Sequence, residues 1–156
     1  MMNKLALLTT ALLSFGATAC TISTSSGEDI VDANLAGVVA GQNWNFVAGH
    51  TSAFLSEGED DFFASLYPSA FTPCGFSEPS GPHIIVAIPK ATGEFDMGFG
   101  RNMTFVDGSN NLVSLDGVIR VDSVSATNVT GGLVASYDSD NEVNGTFDVT
   151  ICPDEE

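Results

Sequence analysis

Histidine, serine, cysteine and carboxylate side chains are the groups in this sequence that could carry out chemistry, and their spacing offers little for catalysis. Nucleophilic hydrolysis needs a serine or cysteine beside a base that a third group orients. The only histidines are His50 and His83, and no Gly-x-Ser-x-Gly motif occurs. Strand alternation puts His50 in phase with Trp44 and near Ser52, which favours a hydrogen bond in a core over a catalytic pair. The sequence therefore predicts no enzyme and no catalytic residue.

Two acidic clusters, residues 57–61 and 138–142, could offer clustered oxygens to a calcium ion. Neither fits the twelve-residue spacing of an EF-hand loop. We expect two solvated turns, with a weak calcium site as the alternative and no other cofactor or metal. The single tryptophan, Trp44, could stack on a sugar if exposed. It shares its phase with Phe46 and Ala48, so core packing is expected.

The N-terminus carries the most specific signal. Residues 1–4 hold one positive charge, residues 5–15 are apolar but too few to span a bilayer, and residues 16–19 are small. Cys20 follows at once. Ala17-Thr18-Ala19-Cys20 resembles the lipobox of bacterial lipoproteins, although that family usually has leucine where Ala17 stands. The resemblance implies that residues 1–19 are a signal peptide and that Cys20 is lipidated. Ordinary cleavage after Ala19, leaving Cys20 free or in a disulfide, is the alternative.

The same resemblance implies a location in the cell. In such lipoproteins of two-membraned bacteria, aspartate after the cysteine often means inner-membrane retention, whereas Thr21 stands here. We therefore expect a lipid-anchored protein of the cell envelope, in the outer membrane if the host is Gram-negative. Two or three acyl chains would make membrane release negligible. Residues 20–34 read as the lipidated cysteine and a flexible polar tether, about 20 Å long on average.

With Cys20 acylated, Cys74 and Cys152 remain, an even number in an oxidising compartment. A disulfide between them is expected, with two buried free thiols as the alternative. Two distant cysteines alone offer too few ligands for a metal site.

Composition restricts the partners. The whole chain has a formal charge of −16, and without Lys4 of the signal only Lys90, Arg101 and Arg120 face 20 acids. Such a surface repels phosphate backbones and anionic headgroups, so nucleic-acid binding is excluded. The expected membrane contact is the lipid anchor, and a protein or carbohydrate partner stays undetermined.

Alternating apolar residues predict strands throughout the remaining chain. They cover residues 35–40, 44–54, 62–67, 83–88, 95–99, 102–106, 112–121, 127–137 and 143–151. Residues 95–99 and 102–106 are expected to pair through Gly100-Arg101. The last two strands share one apolar phase, so we expect them to be neighbours in an antiparallel sheet.

These elements predict an all-β domain over residues 35–156, an antiparallel β-sandwich of about eight or nine strands. An up-and-down, calycin-like barrel is the alternative. The leading hypothesis is a non-catalytic, lipid-anchored envelope protein with a structural, adhesion or assembly role. The second is a ligand-binding lipoprotein, either a sugar-binding sandwich or a barrel with an apolar pocket. A small hydrolase is a distant third.

Overall fold

The computed structural model describes residues 29–56, 58–108 and 110–153. Nearly all regular structure in this part of the chain is β-strand, as the sequence predicts. The strands are β1 (Ala36–Val39), β2 (Gln42–Asn45), β3 (Ala48–Ser52), β4 (Asp61–Tyr67), β5 (His83–Pro89), β6 (Gly93–Asp96), β7 (Met103–Asp107), β8 (Asn110–Ser114), β9 (Gly117–Val124), β10 (Asn128–Asp138) and β11 (Asn141–Thr150). One short helix, α1 (Ala53–Ser56), follows β3.

All these strands belong to one sheet. Its order is β6-β9-β10-β11-β3-β4-β5-β7-β8, and β1 pairs with both β11 and β2 beside this path. The sheet is open and strongly curled, a half-barrel. The two-sheet sandwich is thus not confirmed, and the path from β6 to β8 does not close into a barrel. Curling brings β5 against β9 and β8 against β10 across the core.

The concave side of the sheet holds a continuous hydrophobic core. In β11 the buried residues alternate with exposed or half-buried ones, which is the pattern of a strand with one face on a core. Trp44 is 2% exposed and belongs to this core, as its phase predicts. Other large members come from distant strands: Leu66, Ile84, Met103, Phe105, Ile119, Leu133 and Phe147.

The segment before β1 packs along β11. Val31 donates its amide to Asn144 Oδ1 at 2.9 Å, and the Leu35 amide donates to the Thr146 carbonyl at 2.8 Å. Gly145 permits this approach, since a Cβ there would lie 2.6 Å from the Leu35 Cα, and its φ of 142° suits glycine. Contacts with the sheet thus begin before Leu35, within the segment expected to be a tether.

Two pairings differ from the sequence prediction. Residues 95–99 and 102–106 do not form a hairpin, because β6 pairs with β9 and β7 pairs with β5 and β8. Only an isolated bridge, Gly98 to Arg101, joins that turn. The predicted strand 112–121 is two strands, β8 and β9. The interruption lies at Leu115 and Asp116, where Ser114 Oγ accepts from the Asp116 amide at 3.3 Å and lies 2.6 Å from the Ser136 carbonyl.

The hairpin of β10 and β11 is confirmed. Its register runs from Asn128 opposite Thr150 to Asp138 opposite Asn141. Within residues 29–56, 58–108 and 110–153, no helix has the length and apolar character required to cross a bilayer.

Candidate functional site

The candidate site lies where β11 meets β3. These strands are joined by one parallel bridge, Thr150 to His50. Just beyond it, the Cys152 amide donates to Thr51 Oγ1 at 3.0 Å. The predicted disulfide is present between Cys74 and Cys152. It fastens the end of β11 to the loop of residues 68–82. The disulfide therefore crosses the junction of β3 and β11, which we call the seam of the sheet.

The loop presents Cys74 from a tight turn. The Gly75 amide donates to the Thr72 carbonyl at 3.2 Å, and Pro73 occupies the second position, which its ring favours. Cys74 has a φ of 61°, a left-handed conformation that glycine usually supplies. A cysteine in this conformation costs about 1 kcal/mol relative to glycine.

His50 lies beneath the disulfide and is held at both ring nitrogens. The Cys74 amide donates to Nδ1 at 3.0 Å, so this nitrogen carries the lone pair and Nε2 carries the proton. Nε2 donates to Glu78 Oε1 at 2.8 Å. The Cys152 Sγ lies 3.6 Å from Nδ1. His50 is 8% exposed, so the imidazole is fixed in one tautomer in a nearly dry position.

Glu78 accepts a second hydrogen bond from the hydroxyl of Tyr67, at 2.8 Å from Oε2. Burial, the hydrogen bond to Glu78 and the charge of Glu78 raise the pKa of Tyr67 to about 12. Burial acts to raise the pKa of Glu78, but the hydrogen bonds from Tyr67 and His50 outweigh it, and the pKa is lowered. The carboxylate is therefore ionised at neutral pH and orients both donors.

Aromatic rings enclose this group. Phe71 meets the rings of His50 and Tyr67 edge to face, at centroid distances of 5.2 and 5.1 Å. His83 stacks on Tyr67 at 4.9 Å, and its Nδ1 contacts the Gly81 carbonyl at 2.9 Å. We call His50, Tyr67, Cys74, Glu78 and Cys152 the disulfide cluster.

The sequence identified part of this cluster. Cys74 and Cys152 pair as expected, and His50 is buried, but its partners are Glu78 and Cys74 and the expected contact with Ser52 is not formed. Glu78 and Tyr67 were not anticipated. The available signal was that Glu78 is the only acid in residues 68–82, four residues after Cys74. Cys20 lies outside the described residues.

The second acidic cluster and Trp44 make contacts within the domain. Asp138 Oδ1 accepts from the Asp140 amide and the Asn141 side chain, which closes the second acidic turn on itself. The first includes Glu57, which lies outside the described residues. Trp44 Nε1 is buried, with no hydrogen-bond partner in the described part of the chain. Its ring is covered by the core and is not exposed for a sugar to stack on.

The basic residues are engaged within the domain. Arg101 makes two hydrogen bonds to Asp61, at 2.8 and 3.1 Å, and Arg120 makes two to Asp122. The Lys90 ammonium donates to the Ser56 carbonyl at 2.6 Å. The cations of the described residues therefore neutralise few of the acids, and the rest of the negative charge remains on the surface.

Comparison with protein-family models gives no match for this chain, and comparisons with curated proteins and with solved structures give none either.

Proposed function

We propose that this protein is a non-catalytic lipoprotein of the bacterial envelope, anchored through Cys20, whose β domain serves structure, adhesion or assembly. The observation that carries the proposal is the pairing of Cys74 with Cys152. A disulfide in a small domain is typical of an exported protein. The pairing also leaves Cys20, the cysteine after the lipobox-like residues, as the one available for acylation.

The contact of Asp29 with the sheet is compatible with such an anchor. The Asp29 carbonyl accepts a hydrogen bond from the Asn144 side chain on β11. Nine residue steps separate Cys20 from Asp29, which span at most about 30 Å. A lipid on Cys20 would hold β11 and its neighbours close to the bilayer. The acidic surface would keep the domain from lying flat on anionic headgroups.

The state of His50 supports a non-catalytic role. A general base needs a free lone pair directed at the nucleophile. The lone pair of His50 accepts from the Cys74 amide, and its proton is donated to Glu78. A serine hydrolase would be modified by a fluorophosphonate probe for activated serines, whereas we expect the purified chain to remain unlabelled at concentrations that label a serine esterase.

Palmitate labelling tests the anchor. The full chain, produced in a Gram-negative bacterium, should take up labelled palmitate, and Cys20→Ala should not. Cys74→Ala, which removes a different cysteine, should remain labelled. Equal labelling of the Cys20→Ala variant, or a mature protein that still begins at Met1, would refute the proposal.

Membrane fractionation tests the expected outer-membrane location. The labelled chain should sediment with the outer membrane, and Cys20→Ala should be released as soluble protein. Because aspartate after the cysteine often retains such lipoproteins in the inner membrane, Thr21→Asp should move the protein to that fraction. An unchanged distribution of Thr21→Asp would contradict the outer-membrane assignment while leaving the lipid anchor intact.

One surface pocket favours a second candidate function, the binding of a small ligand. Its volume is about 310 Å³, at the lower end for ligand sites. The Lys90 ammonium lies 5.3 Å from the ring centroid of Phe62 at this pocket. It donates one hydrogen bond to the Ser56 carbonyl and has two further protons that could bind the carboxylate of an acidic sugar. Glucuronate should then shift the NMR signals of residues in the pocket, and Lys90→Met should abolish the shifts. No shift at millimolar glucuronate would reject this candidate.

A further inference from the structure

The disulfide cluster brings three potential metal ligands together. Nδ1 of His50 and the sulfurs of Cys74 and Cys152 all lie within 4.8 Å of one another, the one such group in the described part of the chain. The distance from Nδ1 to the Cys152 Sγ is 3.6 Å. In tetrahedral zinc coordination, bond lengths of about 2.0–2.1 Å to nitrogen and about 2.3 Å to sulfur put those atoms about 3.6 Å apart. The imidazole therefore already lies where a third ligand would be needed.

The surroundings of His50 also suit a metal ligand. A metal-binding histidine usually donates its other ring nitrogen to a carboxylate, which fixes the tautomer and strengthens the ligand. Here Nε2 donates to Glu78 at 2.8 Å, and Tyr67 fixes the same carboxylate from its second oxygen. The lone pair of Nδ1 lies on the side of the sulfurs and is now used by the Cys74 amide. A metal ion would replace that amide as its partner.

We propose that the disulfide cluster is a redox-dependent zinc site: when the disulfide is reduced, Cys74, Cys152 and His50 bind one zinc ion, with Glu78 as the positioning residue of the imidazole. Two cysteines and one histidine form a known class of zinc site that leaves the fourth position to water. Thiolate and imidazole ligands favour zinc over the hard cations calcium and magnesium. The proposal does not depend on Cys20 or its lipid.

The reducing step requires a dithiol. A thiolate of the dithiol attacks the Cys74 sulfur, whose residue is exposed, and Cys152 leaves as a thiolate. The second thiol of the dithiol then attacks the dithiol's first sulfur, which is bonded to Cys74 in the mixed disulfide. The Cys74 sulfur is released. Two electrons pass to the two cysteines, the two protons of the dithiol are recovered as thiol protons, and the dithiol becomes a disulfide. Zinc then binds both sulfurs as thiolates, and two thiol protons are released to solvent.

Zinc titration tests the proposal. The parent is the full chain with Cys20→Ser, so that only Cys74 and Cys152 can react, kept without oxygen in competition with a chromophoric chelator. The reduced parent should bind one zinc ion and release about two protons. The oxidised parent has the same acidic surface and should show only weak binding to carboxylates. If the oxidised and reduced forms bind zinc equally, the proposal is wrong.

Variants distinguish the effect of the proposed ligands on zinc binding from the effect of the overall negative charge. In the reduced parent, Glu78→Gln should weaken zinc binding about 10- to 100-fold, and His50→Ala should weaken it more. Glu94→Gln makes the same charge change on the exposed part of β6 and should leave the affinity unchanged. Full zinc affinity of the His50→Ala variant would show that two thiolates alone account for binding, and would overturn the proposal.

Reduction could also unfold the chain, and the fluorescence of the buried Trp44 reports this. If the reduced parent has lost the emission of a buried tryptophan, zinc should restore it in the parent and fail to do so in His50→Ala. Zinc that binds without restoring this emission would be bound to an unfolded dithiol, and that result too would overturn the proposal.

Discussion

The disulfide is expected to contribute a large part of the stability of this domain. It joins residues that are 78 positions apart, and the loss of chain entropy for a loop of that length corresponds to about 4.5 kcal/mol at 25 °C. Removing it also lets residue 74 leave its left-handed conformation. This relaxation stabilises the folded variant by about 1 kcal/mol and offsets part of the loss. The Cys74→Ala/Cys152→Ala variant should therefore lose about 3.5 kcal/mol of unfolding free energy.

Urea unfolding followed by the fluorescence of Trp44 measures this loss, because that side chain is buried in the core. For a domain of this size, 3.5 kcal/mol corresponds to a midpoint lowered by about 2 M urea and a Tm lowered by about 10–15 °C. Reduction of the wild-type chain should produce the same shift. Cys20→Ala, which removes a cysteine without removing a crosslink, should leave the midpoint unchanged.

A loss below about 1 kcal/mol in the double variant would refute this reasoning. It would mean either that the denatured chain is already compact around the loop, or that the hydrogen bonds across the seam of β3 and β11 hold the loop without the crosslink. Thr51→Val removes the acceptor for the amide of residue 152 and should destabilise the chain with or without the disulfide. Only in the second explanation should it cost more in the double variant than in the wild type.

Two further predictions concern charged and ionisable groups. Arg101→Met should cost about 2–3 kcal/mol in urea unfolding, because Asp61 is 8% exposed and would lose its charged partner; Arg120→Met removes an exposed pair and should cost less than about 1 kcal/mol. Equal losses in the two variants would contradict this. Burial and Glu78 raise the pKa of Tyr67 from 10.0 to about 12, so its contribution to stability is complete below pH 10 and is lost as the pH rises toward 12. The difference in ultraviolet titration between wild type and Tyr67→Phe should show this ionisation near pH 12, and a difference centred near pH 10 would show that Tyr67 is exposed.

The sequence predicted those parts of the fold that depend on neighbouring residues. The hairpin of β10 and β11 was predictable because its two strands share an apolar phase and a four-residue polar turn joins them. The pairing of β6 with β9 was not predictable, since residues 93–96 pair with residues 118–121 and two other strands, β7 and β8, lie between them in the sequence. Such distant pairing is decided by how the whole sheet curls over its core, which no local pattern encodes.

The same distinction holds for the site. The pairing of Cys74 with Cys152 was predictable once Cys20 was set aside as the expected acylated residue, because that leaves two cysteines in an oxidising compartment. The role of Glu78 depends on how the loop of residues 68–82 folds back over β3 and β4. Prolines and glycines interrupt every periodic pattern in that loop, so no spacing in the sequence links Glu78 to His50.

Glu78→Gln separates the structural role of the disulfide cluster from its proposed role as a ligand set. The Glu78 side chain is about half exposed, and glutamine keeps one oxygen that can accept from His50 or Tyr67. The oxidised variant should therefore lose less than about 1 kcal/mol in urea unfolding. In the reduced chain the same substitution should weaken zinc binding about 10- to 100-fold, because glutamine no longer strengthens the imidazole as a ligand.

For Glu78→Gln we expect a small change in the unfolding free energy of the oxidised chain and a large change in the zinc affinity of the reduced chain. The first measurement tests the structural role of Glu78, and the second tests its role in zinc binding. If the cluster serves only to hold the loop against the sheet, Glu78→Gln should change stability and leave the weak zinc binding of the acidic surface as it was. If the cluster binds zinc, the change in zinc affinity should appear only after reduction, and should be absent in Glu94→Gln. A variant that is destabilised by several kcal/mol while its zinc affinity is unchanged would assign Glu78 to the fold alone.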